Sequence, residues 1–272
     1  LRLAEHRIGP TQASRGRLFA ALQARAGSPN LDLISYFAAD TVSAYDMEAG
    51  NWEDAAASAR LAESLTVHGG VKFRVMHFRF AILAAAARYL VGEDMSGVVG
   101  MSSVIDRLVE ASGSASDGDL AALKPLYFEA SAWSATIEAH FGKRDEAALN
   151  AWREPPDPQH ETEIYKAGMA RLKPPAAEGV CKVVISERSA FPKIPTESKF
   201  RGMTNTVIML LDVGANGKTS NPRLLASAPV KAFGEAMLKK SPVYTYERAK
   251  DAAPGCTLAQ KDVQLTIIAT SR

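Results

Sequence analysis

The sequence predicts a two-domain α+β protein. An all-α array of helical hairpins is expected first, followed by a small α+β domain with an antiparallel sheet. The length of 272 residues suits about two domains. Residues 15–172 are rich in Ala, Leu, Arg and Glu, with apolar residues three and four positions apart. From residue 180 onward, short strand-like runs separated by turn signals replace that pattern.

Charge divides at the same place as the pattern. Residues 1–172 carry 17 Lys and Arg against 22 Asp and Glu, a net of −5, whereas 173–272 carry 15 against 8, a net of +7. The total of +2 is too small to indicate a nucleic-acid partner. The hydrophobic share of 47% and the charged share of 23% exclude a disordered chain and a disulfide-dense miniprotein. We therefore expect a helical domain over 1–172, a linker over 173–179 and a second domain over 180–272.

Eight helices are expected in the N-terminal domain, because apolar residues such as Val75, Phe78 and Ile82 recur at helical spacing. The expected helices cover 11–26, 31–48, 52–65, 71–91, 96–112, 119–141, 143–153 and 158–172. The Pro-rich segment after the last helix ends it and marks the linker. That last helix either caps the array or packs between the domains.

A Gly followed five residues later by a small residue occurs three times, at Gly50–Ala55, Gly92–Gly97 and Gly142–Ala147. The Gly permits the turn after one helix, and the small residue permits close approach of the next. With Trp52 at the aromatic position, this pattern resembles the tetratricopeptide repeat. The spacings of 42 and 50 residues are longer than that family's period of about 34. An irregular helical bundle is the alternative.

The repeat resemblance implies scaffolding and the capture of partner segments in a concave groove. Aromatic residues on the inner helices are the candidate contacts, and we select Tyr45, Trp52 and Tyr89.

The C-terminal domain is expected to contain strands and one helix. The turn Gly214–Gly217 contains Asn-Gly, which tolerates the positive φ of a tight hairpin. Phe233 and Met237, with Val230, form the expected buried side of an amphipathic helix. The strands are expected at 180–186, 206–213, 219–226, 243–247 and 261–270, with the helix at 229–240.

The order of these features resembles the C-terminal domain of TonB and related energy transducers, over about 80 of the 272 residues. The resemblance rests on an aromatic-Pro opening, a hairpin of the form Asp-x-x-x-Gly-Arg/Lys and the residues that flank the helix. These are Phe191-Pro192, Gly202, Asp212–Lys218, Ser227–Pro229, Phe233, Tyr244–Tyr246 and Val263–Ile268.

The TonB resemblance implies a periplasmic location, possible contact with outer-membrane receptor peptides and partner binding by strand addition at a sheet edge. The candidate edges are 180–186 and 261–270, with Val183, Ile185, Leu265 and Ile267 as candidate contacts. The sequence departs from the family in several respects. Helical hairpins replace the membrane helix and Pro-rich spacer, the Gln-Pro segment that meets the receptor is absent, and Ser241-Pro242-Val243 stands near the place of the family's Trp before the post-helix strand. The two cysteines and the strand at 180–186 are additional, and that strand could occupy the edge that a receptor peptide would use.

The two cysteines, Cys181 and Cys256, lie near the ends of expected strands in the same small domain. A bond between them would close a loop of 74 intervening residues and stabilise the fold by roughly 4 kcal/mol. We expect this disulfide, and the oxidising periplasm that the TonB resemblance implies supports it. Two buried free thiols are the alternative, and the commoner state in a cytosolic protein.

The sequence shows no pattern of residues that indicates catalysis, a cofactor or a metal. None of the five His pairs with another at i, i+4, and HExxH, GxSxG and P-loop motifs are absent. We therefore expect a periplasmic interaction or scaffolding protein of the bacterial envelope that is not an enzyme and binds no nucleic acid. Two alternatives remain, a TonB-type energy transducer and a structural subunit of an envelope assembly. Because the chain begins at Leu1, a signal peptide or membrane anchor is expected to lie upstream if there is one.

Overall fold

The structure is a computed structural model that describes residues 2–26, 33–67, 74–92, 95–142, 162–173, 179–187, 189, 204–239 and 244–270. In these residues the fold is mixed α+β, with nine helices and two small antiparallel sheets. The chain divides into two compact units, Leu1–Leu108 and Val109–Arg272. The predicted mixed α+β class is therefore confirmed.

The described secondary-structure elements of the N-terminal unit are all helices. Each predicted helix in it begins and ends within one turn of the expected position, and the first helix was not expected. The helices are α1 (Arg2–Ile8), α2 (Gln12–Gln23), α3 (Leu33–Glu48), α4 (Trp52–Val67), α5 (Arg74–Gly92) and α6 (Met95–Gly113), which continues into the second unit.

Small residues bring the helices of this unit close together. Ala55 and Ala62 on α4 are fully buried, and α4 packs along both α3 and α5. A Cβ atom at Gly97 on α6 would lie 2.9 Å from the Cβ of Tyr89 on α5, so only Gly fits there. Gly50 has a φ of 72° and forms the turn between α3 and α4. Two of the three repeated Gly–small sites thus mark tight helix packing, and the third falls mostly outside the described residues.

The second unit contains a three-stranded sheet in the order β3-β2-β5. Its strands are β2 (Thr204–Val213), β3 (Thr219–Ala228) and β5 (Gln260–Thr270), all antiparallel. Two short strands, β1 (Val183–Ile185) and β4 (Tyr246–Arg248), pair with each other as a separate antiparallel ribbon. The hairpin predicted at Gly214–Gly217 joins β2 to β3, and Gly217 has a φ of 76°.

Two helices cover the three-stranded sheet from opposite sides. On one side Phe233 and Met237 of α9 (Lys231–Leu238) enter a core with Val207, Met209 and Leu265, as predicted for the buried side of this helix. Alternate residues of a strand face opposite sides. Thr206 therefore faces the other side, where it is hydrogen-bonded to Thr136 of α7 (Asp117–Gly142). The central strand β2 is consequently buried on both faces.

The compact units divide at Leu108/Val109, not at the predicted linker over 173–179. The physical reason lies in β2, which is apolar on both faces because Ile208 and Leu210 alternate with Val207 and Met209. Such a strand needs a second covering layer, and α7 supplies it. The sequence placed α7 in the helical domain, although the continuous apolar run of β2 is typical of a strand covered on both sides.

Helix α8 (Glu163–Leu172) packs against the end of α6 within the second unit. A Cβ at Gly168 would lie 1.9 Å from the carbonyl oxygen of Val109, and one at Gly113 would lie 2.2 Å from that of Ile164. Arg171 donates hydrogen bonds to the carbonyl oxygens of Ser112 (2.8 Å), in the last turn of α6, and of Ala115 (2.7 Å), just past its end, where a cation is favourable. The predicted helix at 143–153 lies outside the described residues.

Cys181 and Cys256 form the predicted disulfide, with their Cα atoms 5.0 Å apart and both side chains buried. The bond joins the segment before β1 to the segment before β5. Backbone hydrogen bonds between Cys181 and Thr257 and between Thr257 and Gly179 run beside it. No helix among the described residues has the length and apolar character that crossing a membrane requires.

Candidate functional site

The structure brings two of the predicted partner-binding residues together. Tyr45, near the end of α3, and Trp52, at the start of α4, line one open cleft of about 770 Å³. The turn at Gly50 places them on the same side because its left-handed backbone reverses the chain between the two helices. The other lining residues come from α2, the α3–α4 turn and the end of α5, and they are Gln12, Gly50, Asn51, Glu53, Asp54, Leu90 and Val91.

Tyr89 does not line this cleft, because its side chain is 6% exposed and packs where α6 begins. The neighbouring Leu90 and Val91 line it instead. The helical register explains the difference, since residues one and two positions further along α5 face other directions. The sequence shows that the end of α5 is apolar. It does not show which of these apolar residues faces α3 and the cleft.

A second, smaller pocket of about 360 Å³ continues from the cleft, and Tyr45 is part of both. Helix α1 and the residues just after it form one wall, with His6, Arg7 and Pro10. Helix α3 forms the opposite wall with Asp40, Thr41, Ala44 and Tyr45. This pocket was not expected from the sequence, because α1 was not predicted.

A buried ion pair fixes the geometry of the cleft. Arg15 on α2 donates from Nε to Oδ1 of Asp46 (2.9 Å) and from Nη2 to Oδ2 (2.7 Å), with side chains 7% and 0% exposed. Its Nη2 also reaches the carbonyl oxygen of Asp54 at 3.3 Å. One guanidinium therefore holds α2, α3 and the first turn of α4 together, in the two-pronged geometry that makes such pairs directional. Asp46 directly follows Tyr45, so the ion pair fixes this turn of α3 relative to α2 and α4.

Some of the polar groups around the cleft already have hydrogen-bond partners within the protein. Asp40 accepts a hydrogen bond from Arg79 at 2.7 Å, and Asp54 accepts one from Gln12 at 3.1 Å. Glu53 is exposed in the first turn of α4, where its negative charge interacts favourably with the helix dipole. Two aromatic side chains, carboxylates and amide groups therefore share one open surface. Such a surface suits the side chains and backbone of a bound segment.

The predicted edge contacts lie on the strands as expected, but several point inward. Val183 and Ile185 on β1 are half-buried against the core of the second unit, and Ile267 on β5 is packed in the same way. Leu265 is buried in that core. Leu265 is therefore shielded by the core, the other three side chains are partly exposed, and the strand backbone is a further part of each edge that a partner could contact. In the described residues β5 pairs with β2 alone, so its outer edge is open.

A carboxylate network fixes the turn end of this sheet. Asp212 on β2 accepts hydrogen bonds from Asn221 (2.9 Å) and Arg223 (3.0 Å) on β3 and from the backbone N–H of Asp262 (3.2 Å) on β5. These bonds, first that from Asn221, lower the pKa of the Asp212 carboxyl. Asp212, the Asp of the predicted hairpin pattern, thus joins all three strands of the sheet. The spacing of residues in the sequence did not predict these contacts.

No cluster of three or more His, Cys, Asp and Glu side chains that could hold a metal occurs in the part of the chain that the structure describes. Comparisons with family models, curated proteins and solved structures give no match to this chain. The candidate site therefore rests on its geometry alone.

Proposed function

We propose that the chain is an interaction protein of the bacterial envelope that binds a partner segment in the cleft at Tyr45 and Trp52. The observation that carries the proposal is the cleft of about 770 Å³, in which two aromatic side chains meet polar groups on helices joined by a tight turn. Aromatic side chains contribute large contact areas at low entropic cost, and they dominate binding at protein interfaces. The groove of a tetratricopeptide-like array is the kind of site that this arrangement would form.

The second unit supplies a second binding mode in this proposal. In the part of the chain that the structure describes, its TonB-like sheet has an unpaired edge at β5, a strand of eleven residues. Extended segments bind such edges through backbone hydrogen bonds. Asp212 and Arg223 hold the start of β5 through Asp262, so the edge is ordered before a partner arrives.

The proposed location is the periplasm. The disulfide between Cys181 and Cys256 is compatible with a location outside the cytoplasm, because thiols are kept reduced inside it. The periplasm itself follows from the TonB resemblance. Attachment to the membrane would come through an upstream segment or through a partner.

The test is photocrosslinking in intact cells with a photoreactive amino acid in place of Trp52. Arg60 on the same helix is the matched control position, because it is exposed and does not line the cleft. We expect a defined set of envelope proteins to be captured from position 52 and not from position 60. Equal capture from both positions, or none from position 52, would contradict a binding role for the cleft.

A third probe at Ile268, which is 49% exposed on β5, tests the sheet edge. Capture of outer-membrane receptors there would favour the energy-transducer alternative. Capture of one constant set of envelope proteins would favour a structural subunit, with the TonB-like domain used for assembly.

A further inference from the structure

Helix α1 is held in place by one buried side chain. Among its seven residues only His6 is buried, at 1% exposure. Leu3 is partly buried, and Glu5 forms exposed ion pairs with Arg2 and Arg17. A helix this short is not stable alone in water, so its position depends on its tertiary contacts. His6 is therefore the one fully buried side chain that attaches α1, beside the partly buried Leu3 and the exposed pair of Glu5 with Arg17 of α2.

The contacts of His6 leave one ring nitrogen without a partner in the described residues. Nδ1 lies 2.8 Å from Oγ of Ser14, and the ring stands edge-on to Tyr45 with centroids 4.9 Å apart. Nε2 is buried and accepts no hydrogen bond. The Ser14 hydroxyl lies within donor distance of the carbonyl oxygens of Gly9 (3.1 Å) and Thr11 (3.0 Å). The carbonyl oxygens take its single proton, and of its two lone pairs one accepts the backbone N–H of Thr11 (3.0 Å), which leaves the other for His6. We therefore assign the His6 proton to Nδ1 and a bare lone pair to Nε2.

A second proton on His6 would therefore create a buried N–H without an acceptor. A buried polar group that loses water without gaining a hydrogen bond is costly, and a charged one more so. In the docked position Nε2 is shielded from water and has no acceptor, and movement of α1 away from α2 and α3 would expose it to water. The docked position of α1 thus favours neutral His6, and the undocked position favours the imidazolium ion.

The charges around His6 do not compensate this cost. Asp46 on α3 attracts a proton to the ring, but its carboxylate is already bound by Arg15 of α2, which repels one. Burial is the largest effect and lowers the pKa of His6 below its usual value of 6.5. The remaining charged groups on the packed helices are exposed or half-buried, and they are Arg2, Glu5 and Arg7 on α1, Arg17 on α2 and Asp40 on α3.

We propose that His6 is a pH-sensitive anchor, and that its protonation releases α1 from α2 and α3. Release would remove the wall that α1 provides for the pocket of about 360 Å³ at Tyr45. Release would also break the edge-on contact between the rings of His6 and Tyr45. The release of α1 is independent of the proposed function, whereas its effect on partner binding rests on that function.

The direction of the pH dependence follows from linkage. The undocked helix has a His6 pKa near 6.5 and the docked helix a lower one. Attachment of α1 is therefore strongest above about pH 6.5. Between that pH and the docked-state pKa, each unit of acidification raises the undocking equilibrium about tenfold.

The test is hydrogen exchange of the whole protein, with the rates for the segment 2–14 corrected for the pH dependence of intrinsic exchange. We expect protection of α1 to be lost progressively from pH 7.5 to pH 5, while the core of the second unit stays protected. In His6→Gln the dependence should disappear, because Gln does not titrate. The matched control is His77→Gln, which should keep it. His77 also has a lowered pKa, mainly from burial, but it lies on α5 and contacts Thr66 and Arg107.

Constant protection of α1 across this pH range in the unaltered protein would overturn the proposal, as would the same pH dependence in His6→Gln. If His6→Gln releases α1 at every pH, titration of the His6 ring by NMR in the unaltered protein decides. A pKa below 6.5 that matches the midpoint of α1 release supports the anchor, and a pKa at or above 6.5 overturns it. These measurements need no partner, so they remain valid if the cleft binds none.

Discussion

Thr136 on α7 donates a hydrogen bond to Oγ1 of Thr206 on the central strand β2, over 2.9 Å in a fully buried setting. The same hydroxyl oxygen lies 3.2 Å from the carbonyl oxygen of Ala228 on β3. This contact joins a helix that the sequence assigned to the N-terminal domain to the sheet of the C-terminal domain, across 70 residues of chain. The three-stranded sheet is therefore completed by a helix that precedes it in the chain.

We predict that residues 180–272 do not form a stable domain on their own, whereas residues 109–272 do. Without α7, the side of β2 that carries Ile208 and Leu210 would be exposed to water, and contiguous exposed apolar surface promotes aggregation. Denaturation monitored by circular dichroism, together with binding of a hydrophobic dye, compares the two fragments. A cooperative transition of equal midpoint in both would contradict the prediction.

The buried hydroxyl contact gives a finer test of the same interface. Thr136→Val should reduce the free energy of unfolding by about 1 kcal/mol, because it leaves the buried Thr206 hydroxyl with one partner fewer. The double variant Thr136→Val/Thr206→Val should recover much of that loss, since both polar groups are then replaced by apolar groups of the same shape. Additive losses in urea denaturation would show that the two hydroxyls are not coupled.

Gly168→Ala should destabilise the second unit by about 1–3 kcal/mol or more. Its Cβ would meet the backbone of Val109, which cannot move aside as a flexible side chain can. Gly118→Ala on α7 is the matched control, because a Cβ there would meet only the Ser116 hydroxyl, at 3.9 Å. Thermal unfolding of both variants measures the difference. An unchanged transition in Gly168→Ala would mean that α8 does not pack this closely on α6.

Arg15→Met should cost about 3–5 kcal/mol of unfolding free energy, because it leaves the fully buried carboxylate of Asp46 without its cation. The double variant Arg15→Met/Asp46→Leu should be less destabilised than the single one, since neither charge then remains buried. A double-mutant cycle by chemical denaturation measures the coupling energy. A coupling near zero would be inconsistent with the ion pair as the group that holds α2, α3 and α4 together.

Replacing both cysteines by alanine should reduce the free energy of unfolding by roughly 4 kcal/mol, as the chain-entropy model gives for a loop of this length. The same loss should appear when the unaltered protein is unfolded in the presence of a reductant. Denaturation midpoints with and without reductant provide the comparison. The reductant should leave the midpoint of the double alanine variant unchanged, and a shift there would indicate an effect unrelated to the disulfide.

The sequence by itself determined the elements that depend on local pattern. Helical spacing located α2 to α7, alternation located β5, and the Asn-Gly turn fixed the hairpin between β2 and β3, because these signals come from neighbouring residues. The disulfide was also accessible, since the chain offers just two cysteines and both belong to one unit. Tyr45 and Trp52 could be selected because both lie beside the same predicted turn. Helix α1 was missed because a single buried residue, His6, gives no periodic signal.

The tertiary structure alone decided which elements cover one another. Only the structure shows that α7 packs on the sheet and that Tyr89 and Leu265 are buried. It also shows that Gly113 and Gly168 face each other, and that Arg15 pairs with Asp46 across 31 residues. Each of these contacts depends on the relative rotation and register of elements that lie far apart in the chain. Local periodicity shows that a face is apolar, but close packing among distant segments selects the partner of that face.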